Sequence, residues 1–229
     1  MENQGELWEK HVEGLIECRK CPRLVTWREE VARVKRRAYL NQTYWGKPVP
    51  GFGDLQARVA LVGLAPGAHG SNRTGRMFTG DKSGDFLYAS LYRAGFANQS
   101  TCVDQFDGLV LTVMFITAAC RCAPPDNKVN RDEVINCRPY LLAELGMLPR
   151  LQGIVALGGV GFDAVVALYQ YLGQEISGIR FRHGAFYELG GKLPWLMATY
   201  HPSPQNTSTK RLTRAMMDEI WANVRQKIV

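Results

Sequence analysis

The sequence predicts an α/β protein, a three-layer α/β/α sandwich around a mainly parallel, four-stranded sheet. Three observations carry this reading: four short apolar runs rich in β-branched residues, helix-length stretches between them, and polar segments rich in glycine or proline directly after each run. The runs are Val59–Val62, Leu109–Phe115, Ile154–Leu157 and Leu196–Thr199. Between them, Asp85–Ala94, Arg131–Leu145 and Val160–Tyr171 are the helical crossovers that parallel strands require. Ahead of the first run, Leu7–Ile16 and Arg28–Tyr39 have helical character, and Leu212–Ile228 closes the chain as an amphipathic helix. Ile179–Leu189, with FRHGAFYEL at its centre, reads as a hairpin or an irregular excursion before the last strand. Neither internal repeats nor a linker interrupt the pattern, so residues 1–229 are expected to form one domain.

A chain of 229 residues with 46% apolar content buries an ordinary core and excludes a disordered protein. No apolar run approaches bilayer length. The opening MENQGELWEKHVEGL is acidic where a secretory signal is basic and then apolar, so the expectation is an intracellular protein without membrane contact. A formal charge of +7 and a pI near 9.2 favour a polyanionic partner.

The polar segment after the first run, GLAPGAHGSNRTGRMFTGD (residues 63–81), carries the strongest functional signal. Five of its nineteen residues are glycine, which suits a backbone that lies close to a ligand. His69, Asn72, Arg73, Arg76 and Asp81 supply polar and charged groups, and Phe78 one flat apolar face; together they suit a planar, hydrogen-bonding ligand. Ligands of open α/β sheets bind beyond the carboxyl ends of the strands. TAACRCAPPDN, GGVG and HPSPQN follow the other three runs, so four loops are expected to converge on one cleft.

Six cysteines in a chain of intracellular character favour metal ligation or burial over disulfides. Cys18 and Cys21 form a C-x₂-C pair, and Cys122 and Cys137 a second pair separated by fourteen residues. Four thiolates suit tetrahedral zinc and a four-iron cluster equally well, and either would tie the N-terminal segment to the sheet. The plainer alternative for Cys18 and Cys21 is two unconnected thiols near a helix end. Cys102 and Cys120 are expected as small buried hydrophobes. Cys120 competes with Cys122 as a ligand, but Ala123-Pro124-Pro125 ends the strand and aims Cys122 into the loop.

The glycine-rich segment, the four-cysteine pattern with CAPPDN, and HPSPQN, in this order from Cys18 to about Arg214, together resemble family 5 uracil-DNA glycosylases of the iron–sulfur type. The resemblance implies hydrolysis of the N-glycosidic bond of uracil in DNA, and of other deaminated bases such as hypoxanthine. It also implies a structural [4Fe-4S] cluster on Cys18, Cys21, Cys122 and Cys137, and places His201 at the leaving base, where an imidazole stabilises charge developing on the uracil carbonyl.

A glycosylase must extrude its target nucleotide from the duplex and hold it on an aromatic face. Phe78 is the expected face, with the backbone of Gly63, Leu64 and Ala65 approaching the ring. Related families keep a polar side chain where Leu64 and Ala65 stand here, which leaves Asp81 as the nearest carboxylate to position water; its alternative role is an N-cap for the helix near Ser83. Related cluster-bearing proteins read the base edge with an asparagine where this chain has Ala118 and Ala119. Asn127 is the candidate replacement, against a plain Asx turn beside two prolines. His69 either approaches the base or the abasic sugar, or faces solvent.

For DNA, the expected contacts are Arg73, Arg76, Lys210, Arg211 and Arg214 on phosphates, with Ser203, Gln205 and Asn206 in a loop stiffened by Pro202 and Pro204. Arg33–Arg37 adds positive charge, most simply as an exposed helix face. A monomer in the cytoplasm, associated with the nucleoid through DNA, is the expectation. The competing class is a non-catalytic nucleic-acid-binding module with a metal staple, favoured by the missing carboxylate at Leu64–Ala65. A phosphate-binding loop is disfavoured because GLAPGAHG lacks the P-loop lysine and its spacing.

Overall fold

Six strands form one sheet, and its four central strands are the parallel set read from the apolar runs. The computed structural model describes residues 3–228. The strands are β1 (Phe52–Gly53), β2 (Val59–Gly63), β3 (Met114–Ala118), β4 (Gly153–Leu157), β5 (Phe186–Tyr187) and β6 (Trp195–Thr199). Their order is β1-β3-β2-β4-β6-β5. β3, β2, β4 and β6 run parallel, with Val59 opposite both Met114 and Gly153. β1 and β5 add short antiparallel edges, Phe52 pairing Ile116 and Phe186 pairing Met197. Two residues are too few to leave a period in the sequence, so the expected four strands become six.

The second strand also lies further along the chain, at Met114–Ala118 rather than Leu109–Phe115. Leu109 and Leu111 are buried in the core, yet the chain there stands outside the ladder: Leu111 makes one isolated bridge to Ala97, and Val113 turns to a φ of 56° just before β3. An apolar run reports burial, and here burial precedes pairing.

Helices cover both faces: α1 (Gln4–Ile16), α2 (Pro22–Val34), α3 (Ser71–Thr74), α4 (Lys82–Arg93), α5 (Arg131–Gly146), α6 (Gly159–Tyr171), α7 (Pro204–Ser208) and α8 (Arg214–Lys227). Alternation along the strands sorts the core. Val59 and Leu61 pack with Leu87 and Leu91 of α4 and Ile220 and Trp221 of α8. Ala60 and Val62 face Leu141 of α5 and Phe162 and Val165 of α6. None of the helices among the described residues is long and apolar enough to cross a membrane.

α2 begins directly after Cys21 because Pro22 occupies its first turn, and it ends where Lys35 adopts a φ of 60°. The helix expected at Arg28–Tyr39 is thus displaced, and Arg37–Tyr39 is a separate 3₁₀ turn. The basic run Arg33–Arg37 therefore crosses a helix end instead of forming one helix face. A buried ion pair fastens α5 to the sheet: Glu144 accepts from Arg121 Nη1 (3.0 Å), the Thr117 hydroxyl (2.6 Å) and the Gly51 N–H (3.0 Å).

Candidate active site

A cleft of about 770 Å³ opens beyond the carboxyl ends of the parallel strands. The loops after β2, β3 and β6 line it. The fourth loop, after β4, stands behind: a Cβ on Gly158 would lie 3.1 Å from the His201 Cβ, so this loop supports His201 instead of reaching the cleft.

Phe78 forms the aromatic wall in a left-handed conformation, φ 52°, uncommon for a bulky residue. Its surroundings hold it there. The Cys102 thiol donates to the Phe78 carbonyl (3.6 Å), the Tyr88 hydroxyl donates to Met77 O (2.7 Å), and a Cβ on Gly84 would fall 1.7 Å from Phe78 O. The ring lies over Gly63, where an added Cβ would come within 2.9 Å of it; only glycine permits that approach. His201 lies beside the ring, centroids 5.6 Å apart and planes inclined by 31°. Burial pulls the His201 pKa down to about 4, so its imidazole is neutral at pH 7. The Asn206 side chain donates to His201 O (2.8 Å), and Ser203 caps α7. Asn206 thereby shapes the loop from within, whereas Ser203 and Gln205 line the cleft.

Asp81 is the N-cap of α4 and also borders the cleft. Oδ1 caps α4, accepting from the N–H groups of Ser83 (2.9 Å) and Gly84 (3.1 Å). Oδ2 lies against Gly67 and Gly70, where a Cβ on Gly70 would be only 2.0 Å away, and the residue lines the cleft. Burial raises its pKa above the usual carboxylate value, opposed by the two backbone hydrogen bonds. Leu64 and Ala65 line the cleft, but the carbonyls of Gly63 and Leu64 are taken by the N–H groups of Ala119 and Cys120.

His69 lines the cleft too, its Nδ1 3.0 Å from the Tyr44 hydroxyl. That hydroxyl also accepts from the Arg36 N–H (3.4 Å). Burial and the charges of Arg36 and Arg73 lower the His69 pKa. Asn127 follows Asp126 in a pair of left-handed residues, φ 55° and 52°, exposed on the cleft rim.

The basic residues divide. Arg76 does not fit the phosphate contact expected of it: only 3% exposed, it pairs both ends of its guanidinium with Asp107 (2.8 and 2.7 Å) and does not line the cleft. Arg73 is largely spent on the loop itself, donating to His69 O (2.8 Å), Gly80 O (2.7 Å) and Gln42 Oε1 (2.5 Å). Lys210, Arg211 and Arg214 are exposed, with Arg211 lying 4.6 Å over the Tyr200 ring. Arg36, Lys82 and Lys128 also line the cleft. Arg36 belongs to the basic run Arg33–Arg37, whose simplest reading is an exposed helix face; Lys82 and Lys128 are not among the expected contacts, although Lys128 sits beside CAPPDN.

Cys18, Cys21, Cys122 and Cys137 line one cavity between the α1–α2 turn, the loop after β3 and α5. Among the described residues no group of three or more His, Cys, Asp or Glu side chains is gathered to hold a metal ion. The donor chemistry nonetheless fits a tetrathiolate group. Arg28, buried, donates to Cys122 Sγ (2.8 Å), and Asn136 donates to Cys21 Sγ (3.6 Å). Cys120 is buried against Cys137 without lining the cavity, and Cys102 is buried as expected.

Fold and site thus define a class: an α/β protein whose sheet presents an aromatic wall, a neutral imidazole and a carboxyl group to one cleft, with cations at the rim. Known proteins of this class agree. Residues 50–225 match the family model described as the uracil DNA glycosylase superfamily. The chain is 50% identical to a type-5 uracil-DNA glycosylase of Thermus thermophilus, covering 93% of this chain and 94% of the relative. It is 50% identical to one from Mycobacterium tuberculosis (91% and 77%) and 42% to one from Pyrobaculum aerophilum (93% and 90%). The chain belongs to the uracil-DNA glycosylase superfamily and, within it, to the type-5 uracil-DNA glycosylases.

Proposed function

We propose that this protein excises uracil from DNA by hydrolysing its N-glycosidic bond, leaving an abasic site for repair. The observation that carries the reading is the fixed pair of Phe78 and His201 with Asp81 Oδ2 in the same cleft. An extruded base stacks on Phe78 over Gly63. His201, neutral, donates a hydrogen bond to the carbonyl oxygen on which charge grows as the bond breaks. Asp81 Oδ2 orients the water that adds to the sugar carbon, and its raised pKa strengthens it as a proton acceptor. With apolar Leu64 and Ala65 at the motif's start, electrostatic stabilisation of the departing base supplies most of the rate.

His69 and Asn127 on the rim are proposed to contact the base or the abasic sugar. With alanines at 118 and 119 the pyrimidine edge is read loosely, which supports acceptance of hypoxanthine and other deaminated bases. Ser203, Gln205, Lys210 and Arg211 are proposed to face the DNA backbone, joined by Arg36, Lys82 and Lys128. Cys18, Cys21, Cys122 and Cys137 would hold a [4Fe-4S] cluster. When bound it supplies a structural cross-link between the N-terminal segment and the sheet of the single domain. A monomer acting in the cytoplasm, on nucleoid DNA, completes the reading.

The test is direct. Oligonucleotides carrying U·G, U·A, single-stranded uracil or hypoxanthine are incubated with iron-replete protein and treated with alkali. Scission at uracil is expected, with hypoxanthine also cleaved; folded, iron-replete protein that binds these DNAs without scission identifies the non-catalytic module instead. Iron and acid-labile sulfide should copurify, and Cys122→Ser should lose both.

A further inference from the structure

We infer that His183 is a positioning residue that fixes the backbone direction of His201. The inference rests on the catalytic reading of His201. β5 and β6 pair antiparallel, Phe186 opposite Met197 and Tyr187 opposite Leu196. The ladder runs on through the Ala198 N–H to Ala185 O (2.9 Å) and the Gly184 N–H to Ala198 O (2.8 Å), and ends there. The chain turns at 182–185, where the Ala185 N–H goes back to Arg182 O (3.0 Å), and among the described residues the Tyr200 N–H finds no main-chain acceptor. The His183 side chain takes that place: the Tyr200 N–H donates to its Nδ1 (3.3 Å). The Thr199 hydroxyl lies 3.2 Å from the same nitrogen. An accepting Nδ1 makes the imidazole neutral, with its proton on Nε2.

Packing adds to the hydrogen bond. His183 stacks on the Tyr200 ring, centroids 5.1 Å apart and planes within 15°, and the Arg211 guanidinium lies 4.6 Å from the same ring. Tyr200 is thus held by its backbone and its ring in the residue just before His201. Gly158 N–H to Thr199 O (2.8 Å) and Asn206 to His201 O (2.8 Å) fix the chain on either side. His183 itself does not line the cleft, so its effect passes through Tyr200 to the imidazole that meets the base.

The experiment measures single-turnover cleavage, DNA affinity and melting temperature for His183→Leu and His183→Asn, alone and in a His201→Ala background. Asparagine retains an acceptor at the reach of Nδ1; leucine fills similar space without one. His183→Leu is expected to slow cleavage about 10- to 100-fold, the scale of an ångström-sized misplacement, with DNA affinity unchanged. His183→Asn should recover most of that rate, and in the His201→Ala background His183→Leu should cost nothing further. Equal losses for Leu and Asn, or a loss that persists without His201, overturn the inference. A His201→Ala variant cleaving at the wild-type rate overturns the catalytic reading of His201 instead, and this inference with it. Should His183→Leu fail to fold, ¹⁵N NMR of the wild-type imidazole decides: an unprotonated Nδ1 is expected, and a protonated Nδ1 overturns the proposal.

Discussion

Asp81→Asn separates two duties that one carboxylate performs with different oxygens. Oδ1 holds the N–H groups of Ser83 and Gly84 at 2.9 and 3.1 Å, while Oδ2 stands over Gly67 and Gly70 beside the cleft. Asparagine caps helices about as well as aspartate, so the variant keeps both backbone partners and loses only the charge. Burial raises the Asp81 pKa, so between the ordinary value of 3.8 and the raised one the folded state binds more protons than the unfolded. Stability from this group therefore falls as pH rises through that window, and removing the charge leaves neutral-pH stability unchanged or slightly improved. Asp81→Ala, in contrast, orphans both N–H groups, costs about 1 kcal/mol and lowers the melting temperature by about 2–4 °C for a chain of this size. Single-turnover cleavage should drop at least about 100-fold in both variants, the lower end of what a positioned base contributes. The wild-type rate should also fall on acidification at a pH above the ordinary carboxylate range, a limb absent from the Asn variant. Calorimetry with quenched-flow cleavage reads all of this. An Asn variant that cleaves at the wild-type rate, or that melts with the Ala variant, refutes the division of labour.

Three further outcomes are expected. Because burial lowers the His201 pKa from 6.5 to about 4, the unfolded chain takes up a proton in that window that the folded chain refuses; stability should decline as pH drops from 6.5 towards 4, and His201→Gln should flatten the decline in thermal melts. Gly84→Ala places a Cβ 1.7 Å from Phe78 O, so about 1–3 kcal/mol of overpacking and a displaced Phe78 should appear as a lower melting temperature and weaker binding of a uracil-containing oligonucleotide. Arg76→Ala strands the half-buried Asp107, which its partner and the N–H groups of Leu109 and Val103 hold to a pKa of about 2 against the effect of burial. It should lose about 3–5 kcal/mol of stability with no change in the salt dependence of DNA binding, whereas Arg211→Ala should reduce that slope by about one.

What the sequence could reveal follows from the range of the forces involved. The runs at 59, 154 and 196 are fully buried strands whose β-branched apolar residues state their environment locally, and each lies where expected. Leu109–Val113 is just as apolar, but only Leu109 and Leu111 are buried while Val110 is exposed; strand pairing depends on partners distant in sequence, so the expected strand falls early. The motifs located the cleft because the carboxyl ends of parallel strands share one edge. They could not tell which way a side chain turns: Arg76 and Arg73 stand three residues apart in the same loop, one paired in the core with Asp107 and the other binding carbonyls. Tyr44 and His183 bond His69 and Tyr200 across 25 and 17 residues, and nothing in their neighbours' identities announces it.

The left-handed turn at Phe78 has a consequence well away from the cleft. A strained residue of this kind costs about 1–3 kcal/mol, and the structure sustains it only while α4 stays seated with Gly84 beneath the Phe78 carbonyl. α4 is itself clasped by α8, where Trp221 Nε1 donates to Ser90 Oγ at 2.8 Å and Arg93 pairs with Asp218. The C-terminal helix, which touches no base, is thus a guarantor of the aromatic wall. On warming, base recognition should fade when α8 loosens, at a temperature below that at which the sheet itself comes apart.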